Sequence, residues 1–186
     1  MGYRRGFKTE ANDLSNEIRS ELGLNPLDPF DPRELAAYLD IPIIGLTSFV
    51  SSKPIVSHLL VVEPEVFSAV TVFRGTRRTI VHNDAHSPGR QNSNLAHELS
   101  HALLLHPPTP FLDDIGCRNW DQDIEDEAAW LGSTLLLTEA ATIAIAKGQW
   151  NLSSASTFFN VSMPMVRFRM NATGAYVRVA RFRSKS

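Results

Sequence analysis

His97 and His101 stand four residues apart, with Glu98 directly after the first. This trio is the set of side chains best placed to do metal chemistry. On an α-helix, positions i and i+4 lie on nearly the same face one turn apart, so the two imidazoles can reach one ion. Glu98 is offset sideways and can hold a water against that ion, as in the H-E-x-x-H pattern. The surroundings fit a helix. Leu95, Leu99, Ala102 and Leu103 recur at helical spacing, Pro107-Pro108 stop it, and Asn92, Ser93 or Asn94 stand near its start. The apolar periodicity puts this helix in the core.

A catalytic zinc ordinarily has three protein ligands and a water. Carboxylates for the third place are concentrated at the start of a later helix, predicted over residues 123–137. There Glu127 shares its face with Leu131, Thr134 and, at the margin, Trp130, which must pack inward. Glu125 projects toward Ala129, Gly132 and Leu136, nearly opposite. This phasing favours Glu127 as ligand, with Asp123, one turn earlier on the same side, as a partner for a histidine N–H and Glu125 as the alternative ligand. Helix N-termini attract negative charge in any case, which accounts for most of the cluster. His82 and His86, at a strand end and in the loop before the helix, are candidates for a second electrophile that stabilises an oxyanion, although a histidine at a strand end is more often structural. His106 lies a turn past His101 but off its face and reads as a charge partner for the helix terminus. Two histidines and a carboxylate also suit ferrous iron, but such a site has no use for a base at Glu98.

These residues need elements to hold them. Residues 9–22 read as an amphipathic helix with Ala11, Leu14, Ile18 and Leu22 on one face and Gly23 as its stop. A second helix opens at Asp31-Pro32-Arg33-Glu34, with Asp31 as cap, Pro32 in the first helical position and Glu34 able to complete a capping box. Residues 41–46 are a β-branched run, and Pro42 argues for an edge strand. Residues 55–62 fit a strand or a buried helix equally. Residues 67–73 and 78–82 are strand-like and joined by Arg74-Gly75-Thr76-Arg77, a hairpin turn. Residues 83–90 then read as a loop broken at Pro88-Gly89. Beyond the acidic helix come helices over 139–147, from Asn151 to 159, and over 163–171 with Ser162 as cap and Gly174 as close. The helix-helix-sheet-helix order predicts an α+β fold, mostly helical, with a small antiparallel-rich sheet beside the metal helix.

At 186 residues and a formal charge of −2, the chain suits one core-forming domain, and its total charge points to neither nucleic acid nor membrane. Charge is uneven: residues 113–127 are acidic, and the end of the chain carries Arg167, Arg169, Arg178, Arg181, Arg183 and Lys185. Cys117 is the single cysteine, so neither an internal disulfide nor a thiolate zinc cluster can form. With no apolar run behind the basic first residues and none long enough to span a bilayer, the expected compartment is the cytoplasm. Nothing indicates an oligomeric state.

The chain resembles the ImmA/IrrE family of metallo-endopeptidases. In that family an H-E-x-x-H helix ending in Leu-Leu-His is followed by a Glu-x-Glu-Ala helix running into Leu-Leu. The matching residues are His97 to His101 with Leu104-Leu105-His106, then Glu125-Asp126-Glu127-Ala128 and Leu135-Leu136-Leu137. Ser100 stands where the family usually has Gly, and Thr138 where it has Pro; neither change removes a ligand. The resemblance implies a zincin-like metallopeptidase domain over residues 1–148, one zinc per chain, Glu98 as the base, and a helix-turn-helix repressor cut at one exposed site. Residues 149–186 would be a helix-turn-helix-like extension with a basic tail. DNA binding by that pair is the less common use of such a hairpin, and packing on the first domain the commoner one. A regulatory module that keeps its metal for stability, without cutting, is the alternative to an enzyme.

Overall fold

The computed structural model describes residues 3–51, 53–107 and 121–184. Helix α1 (Phe7–Glu21) buries Phe7, Ala11 and Ile18. In α2 (Pro32–Tyr38), the Asp31 carboxylate accepts from the Arg33 N–H and Pro32 takes the first turn. Strand β1 (Ile43–Gly45) leads through a 3-10 turn (Leu46–Phe49) to α3 (Pro54–Ser57), which continues into a π turn (His58–Val62). The ambiguous residues 55–62 are therefore helical. Strands β2 (Ala69–Arg74) and β3 (Arg77–His82) form the hairpin. The sheet order is β1-β3-β2, with β1 parallel and β2 antiparallel to β3, so both Ile43 and Thr71 are in register with Ile80. β1 is an edge strand, as Pro42 required, and the Pro42 carbonyl accepts from the Ile80 N–H at 2.9 Å.

Helix α4 (Pro88–Leu103) carries the two histidines and lies at the centre, packed against α2, the hairpin and α5 (Gln122–Leu136). It starts earlier than the asparagines would place it. Pro88 sits in the first turn, where its missing N–H costs nothing, so it opens the helix rather than breaking a loop. Gly89 makes room for the chain that follows α7: a Cβ there would stand 2.9 Å from the Ser162 nitrogen and the Val161 carbonyl carbon. Leu95 and Leu99 of α4 are fully buried with Leu131 and Leu135 of α5, Ile80 of β3 and Phe7 of α1. Ser100 fits the same core because its hydroxyl donates to the Ala96 carbonyl at 2.7 Å.

Helices α6 (Glu139–Ala146), α7 (Leu152–Phe158) and α8 (Met163–Thr173) begin at the side-chain caps Thr138, Asn151 and Ser162. Thr138 also donates to the Pro26 carbonyl at 2.7 Å, a bond proline could not make. A helix not expected from sequence follows: α9 (Ala175–Arg183) takes most of the basic tail, buries Ala175 and Val179, and pairs Arg178 with Glu139 at 2.5 Å. Arg167 is exposed, whereas Arg169 is buried, lies over Trp130, and donates to the Leu137 carbonyl at 2.9 Å. Its buried partner across the core, Arg19 of α1, donates to the Leu135 carbonyl at 2.8 Å. Two guanidinium groups thus meet the negative C-terminal end of α5, and burial lowers both pKa values, that of Arg169 to about 10. Cys117 and the first part of the acidic stretch, up to residue 120, lie outside the described residues; Asp121 caps α5. Among the described residues no single helix is long and apolar enough to cross a membrane.

Candidate metal centre

The site is built where α5 crosses α4. Close approach is possible because α5 has no side chain at Gly132: a Cβ there would lie 3.0 Å from the Ala96 carbonyl and 3.1 Å from the His97 nitrogen. Glu125 lies seven residues before Gly132, two helical turns back on the same face, so its carboxylate meets the histidines. The Nε2 atoms of His97 and His101 are 3.1 Å apart. Glu125 Oε2 is 3.1 Å from His97 Nε2 and 3.8 Å from His101 Nε2. Two ligands each 2.0–2.1 Å from a tetrahedral zinc stand about 3.3 Å apart, and these separations bracket that value. The donor set, two imidazoles and one carboxylate, is also a zinc set, and the three groups form the metal-competent cluster among the described residues. Each side chain keeps a fifth to a third of its surface exposed, so the centre is open to solvent. Burial works to raise the Glu125 pKa, but hydrogen bonds and charge from His101 and His97 outweigh it and hold the carboxylate well below its usual range.

Glu125, the alternative ligand, stands in this cluster, and Glu127, the residue favoured by helical phasing, does not. Glu127 turns to the other side of α5, where its Oε1 accepts from Arg4 Nε at 3.0 Å and its Oε2 lies 3.6 Å from His106 Nε2. Phasing favoured Glu127 because α5 is buried on two faces: Trp130 lies under Lys8 of α1, and Ser15 Oγ of α1 donates to the Thr134 carbonyl, while Gly132 faces α4. Apolarity could not tell these faces apart; the glycine two turns after Glu125 was the signal that could. Asp123 is exposed in the first turn of α5, and its backbone N–H donates to the Asp121 cap.

His82 and His86 are not brought to this centre. His86 places Nε2 2.8 Å from the Pro64 carbonyl and Nδ1 3.3 Å from the Asn94 amide. His82 is buried beside an open cleft of about 510 Å³ lined by Arg33, Asp84 and Gln91, near the start of α4. Burial, and then the charge of Arg33, lower its pKa. Glu98 stays with the metal helix and faces the sheet: its Oε2 accepts from Thr71 Oγ1 at 2.5 Å. Thr71 was missed because a threonine in a strand carries no signal. His106 was set aside for its helical phase, yet the helix ends before it: Leu105 adopts φ +54° and turns His106 back until its Nδ1 is 3.0 Å from His101 Nδ1.

Fold and site define an α+β, zincin-like peptidase domain. Compared with known families, residues 59–171 match the IrrE N-terminal-like domain of a peptidase family, and the chain belongs to that family. The matched span contains every side chain of the centre just described and runs across the boundary expected at residue 148. No curated protein matches the chain.

Proposed function

We propose that the chain is a zinc-dependent endopeptidase with a narrow protein substrate, a helix-turn-helix transcriptional repressor. The observation that carries the peptidase reading is the convergence of His97, His101 and Glu125 with Glu98 beside them. These three would hold one zinc per chain, and two neutral imidazoles with one carboxylate leave the site net positive. Bound zinc supplies Lewis acidity, which lowers the pKa of a water to about 7 and polarises a carbonyl. Glu98 takes the proton of the attacking water and returns it to the departing amine. Thr71 holds one oxygen of that carboxylate, which fixes its orientation and leaves the other oxygen to accept the proton.

The sheet supports one mode of substrate binding. β2 is an edge strand, and Thr71 in its middle touches Glu98, so an extended peptide added along β2 passes the base. Specificity then lies in contacts away from the scissile bond. The repressor itself rests on the resemblance to ImmA/IrrE proteases, which release stress-response or mobile-element genes. Co-expression with the repressor encoded beside its gene tests both parts: wild type gives one zinc-dependent cut and Glu98→Gln gives none. Loss of the repressor with both chains would support a non-proteolytic, metal-stabilised module instead. Degradation of casein at many sites would remove the dedicated substrate.

A further inference from the structure

We infer that His106, Glu127 and Arg4 form a positioning chain that sets the tautomer of His101 and so tunes the metal affinity of the centre. This rests on His97, His101 and Glu125 being the ligands. For His101 to offer a metal the lone pair of Nε2, its ring proton must sit on Nδ1. That nitrogen is 3.0 Å from His106 Nδ1, a separation at which one proton lies between the two. With the proton on His101, His106 accepts through Nδ1 and carries its own hydrogen on Nε2. His106 Nε2 is turned toward Glu127 Oε2, at an ion-pair distance of 3.6 Å. The other Glu127 oxygen accepts from Arg4 Nε at 3.0 Å, and the two remaining Arg4 nitrogens donate to the two oxygens of Glu10, each at 2.6 Å. One assignment of protons therefore suits the short contacts at His101 and Arg4 and leaves the His106 Nε2–H facing the Glu127 carboxylate. The opposite tautomer of His101 would put a hydrogen on Nε2, into the 3.1 Å gap shared with His97.

The backbone is shaped for this contact. The Leu105 N–H bonds to the Ala102 carbonyl and the His106 N–H to the His101 carbonyl, the two bonds of a Schellman turn. The left-handed position in such a turn is usually glycine, and a leucine there carries a steric cost because its Cβ crowds the following carbonyl. Leu105 is 81% exposed, so its packing does not repay that cost. What the turn accomplishes is to return His106, itself 9% exposed, beneath the last turn of α4. The chain also ties the centre to the N-terminal segment, since Arg4 lies just before α1.

The test is zinc affinity, measured on metal-free protein by competition with a chromophoric chelator, together with the visible spectrum of the cobalt-substituted centre. His106→Leu keeps bulk and removes the acceptor; affinity should fall by about 10- to 100-fold, with a changed cobalt spectrum. His106→Asn places an amide oxygen where Nδ1 stood and should recover most of the loss. Glu127→Gln and Arg4→Met should show smaller losses, in that order. Wild-type affinity in a folded His106→Leu chain, or Asn no better than Leu, would overturn the inference while leaving the ligands in place. If His106→Leu does not fold, unchanged affinity in both Glu127→Gln and Arg4→Met overturns it equally. A wild-type chain that binds no zinc, or a Glu125→Ala chain that binds as tightly as wild type, would instead bring down the ligand set and the inference with it.

Discussion

Both ends of α4 have a pair of histidines beside them, and among the described residues only the second pair stands with a carboxylate in a cluster that could hold a metal. Near the first turns, His86 has both ring nitrogens engaged, by a backbone carbonyl and an asparagine amide, and His82 is buried next to a guanidinium. Near the last turns, His97 and His101 direct Nε2 at each other and at a carboxylate. The residue type is the same; what differs is whether the fold occupies the nitrogen or leaves it facing another donor. A histidine with both ring nitrogens engaged, as His86 has, keeps no lone pair for a metal, whereas one that uses a single nitrogen to hold its ring can still offer the other.

The difference can be broken in several ways. The largest effect is expected at Glu98, where substitution by Gln should cut turnover by about 10²- to 10⁴-fold, the usual range for a general base, and leave zinc stoichiometry at wild type. Assay of purified protein on the repressor, with metal analysis of the same sample, checks both halves. Next, Glu125→Ala should lose zinc under dialysis that leaves wild type loaded, whereas Glu127→Ala should bind more weakly but still bind. The reverse result would restore the ligand expected from helical phasing. At the other end of α4, His86→Ala should leave zinc binding untouched and cost about 1–3 kcal/mol in urea unfolding, through the carbonyl and amide left unpaired. Zinc loss in that variant would erase the distinction between the two pairs.

The smallest effect is a pH slope. His82 has a folded pKa below its ordinary value of 6.5. Above that value both states are neutral and the residue contributes nothing. As pH falls through 6.5, the unfolded chain takes up a proton that the folded chain refuses, so stability falls. Urea titrations of the zinc-free protein between pH 7.5 and 5 should show a shallower loss for His82→Gln than for wild type; equal slopes would mean that His82 titrates normally.

Much of this arrangement could be read from local signals. The H-E-x-x-H helix, the hairpin before it and the caps at Asp31, Asn151 and Ser162 depend on residues close in sequence, and all formed as expected. What escaped depends on which element lies opposite. Glu125 and Glu127 are separated only by knowing that Gly132 faces α4 while Trp130 lies against Lys8 of α1. Arg19 and Arg169 look like surface residues until the C-terminal end of α5 is placed between them. His106 required a left-handed leucine that no propensity favours. The tail became α9 because Ala175 and Val179 found a surface to pack on, a spacing too sparse to show against so many arginines.

The most direct measurement of the metal centre is a crystal structure grown with zinc, with anomalous differences collected at the zinc edge. The expected result is one strong peak within about 2.0–2.2 Å of His97 Nε2, His101 Nε2 and a Glu125 oxygen, with the Glu98 carboxylate beside it but not bound. A peak ligated by Glu127, or no peak between the two histidines in zinc-soaked crystals, would contradict it.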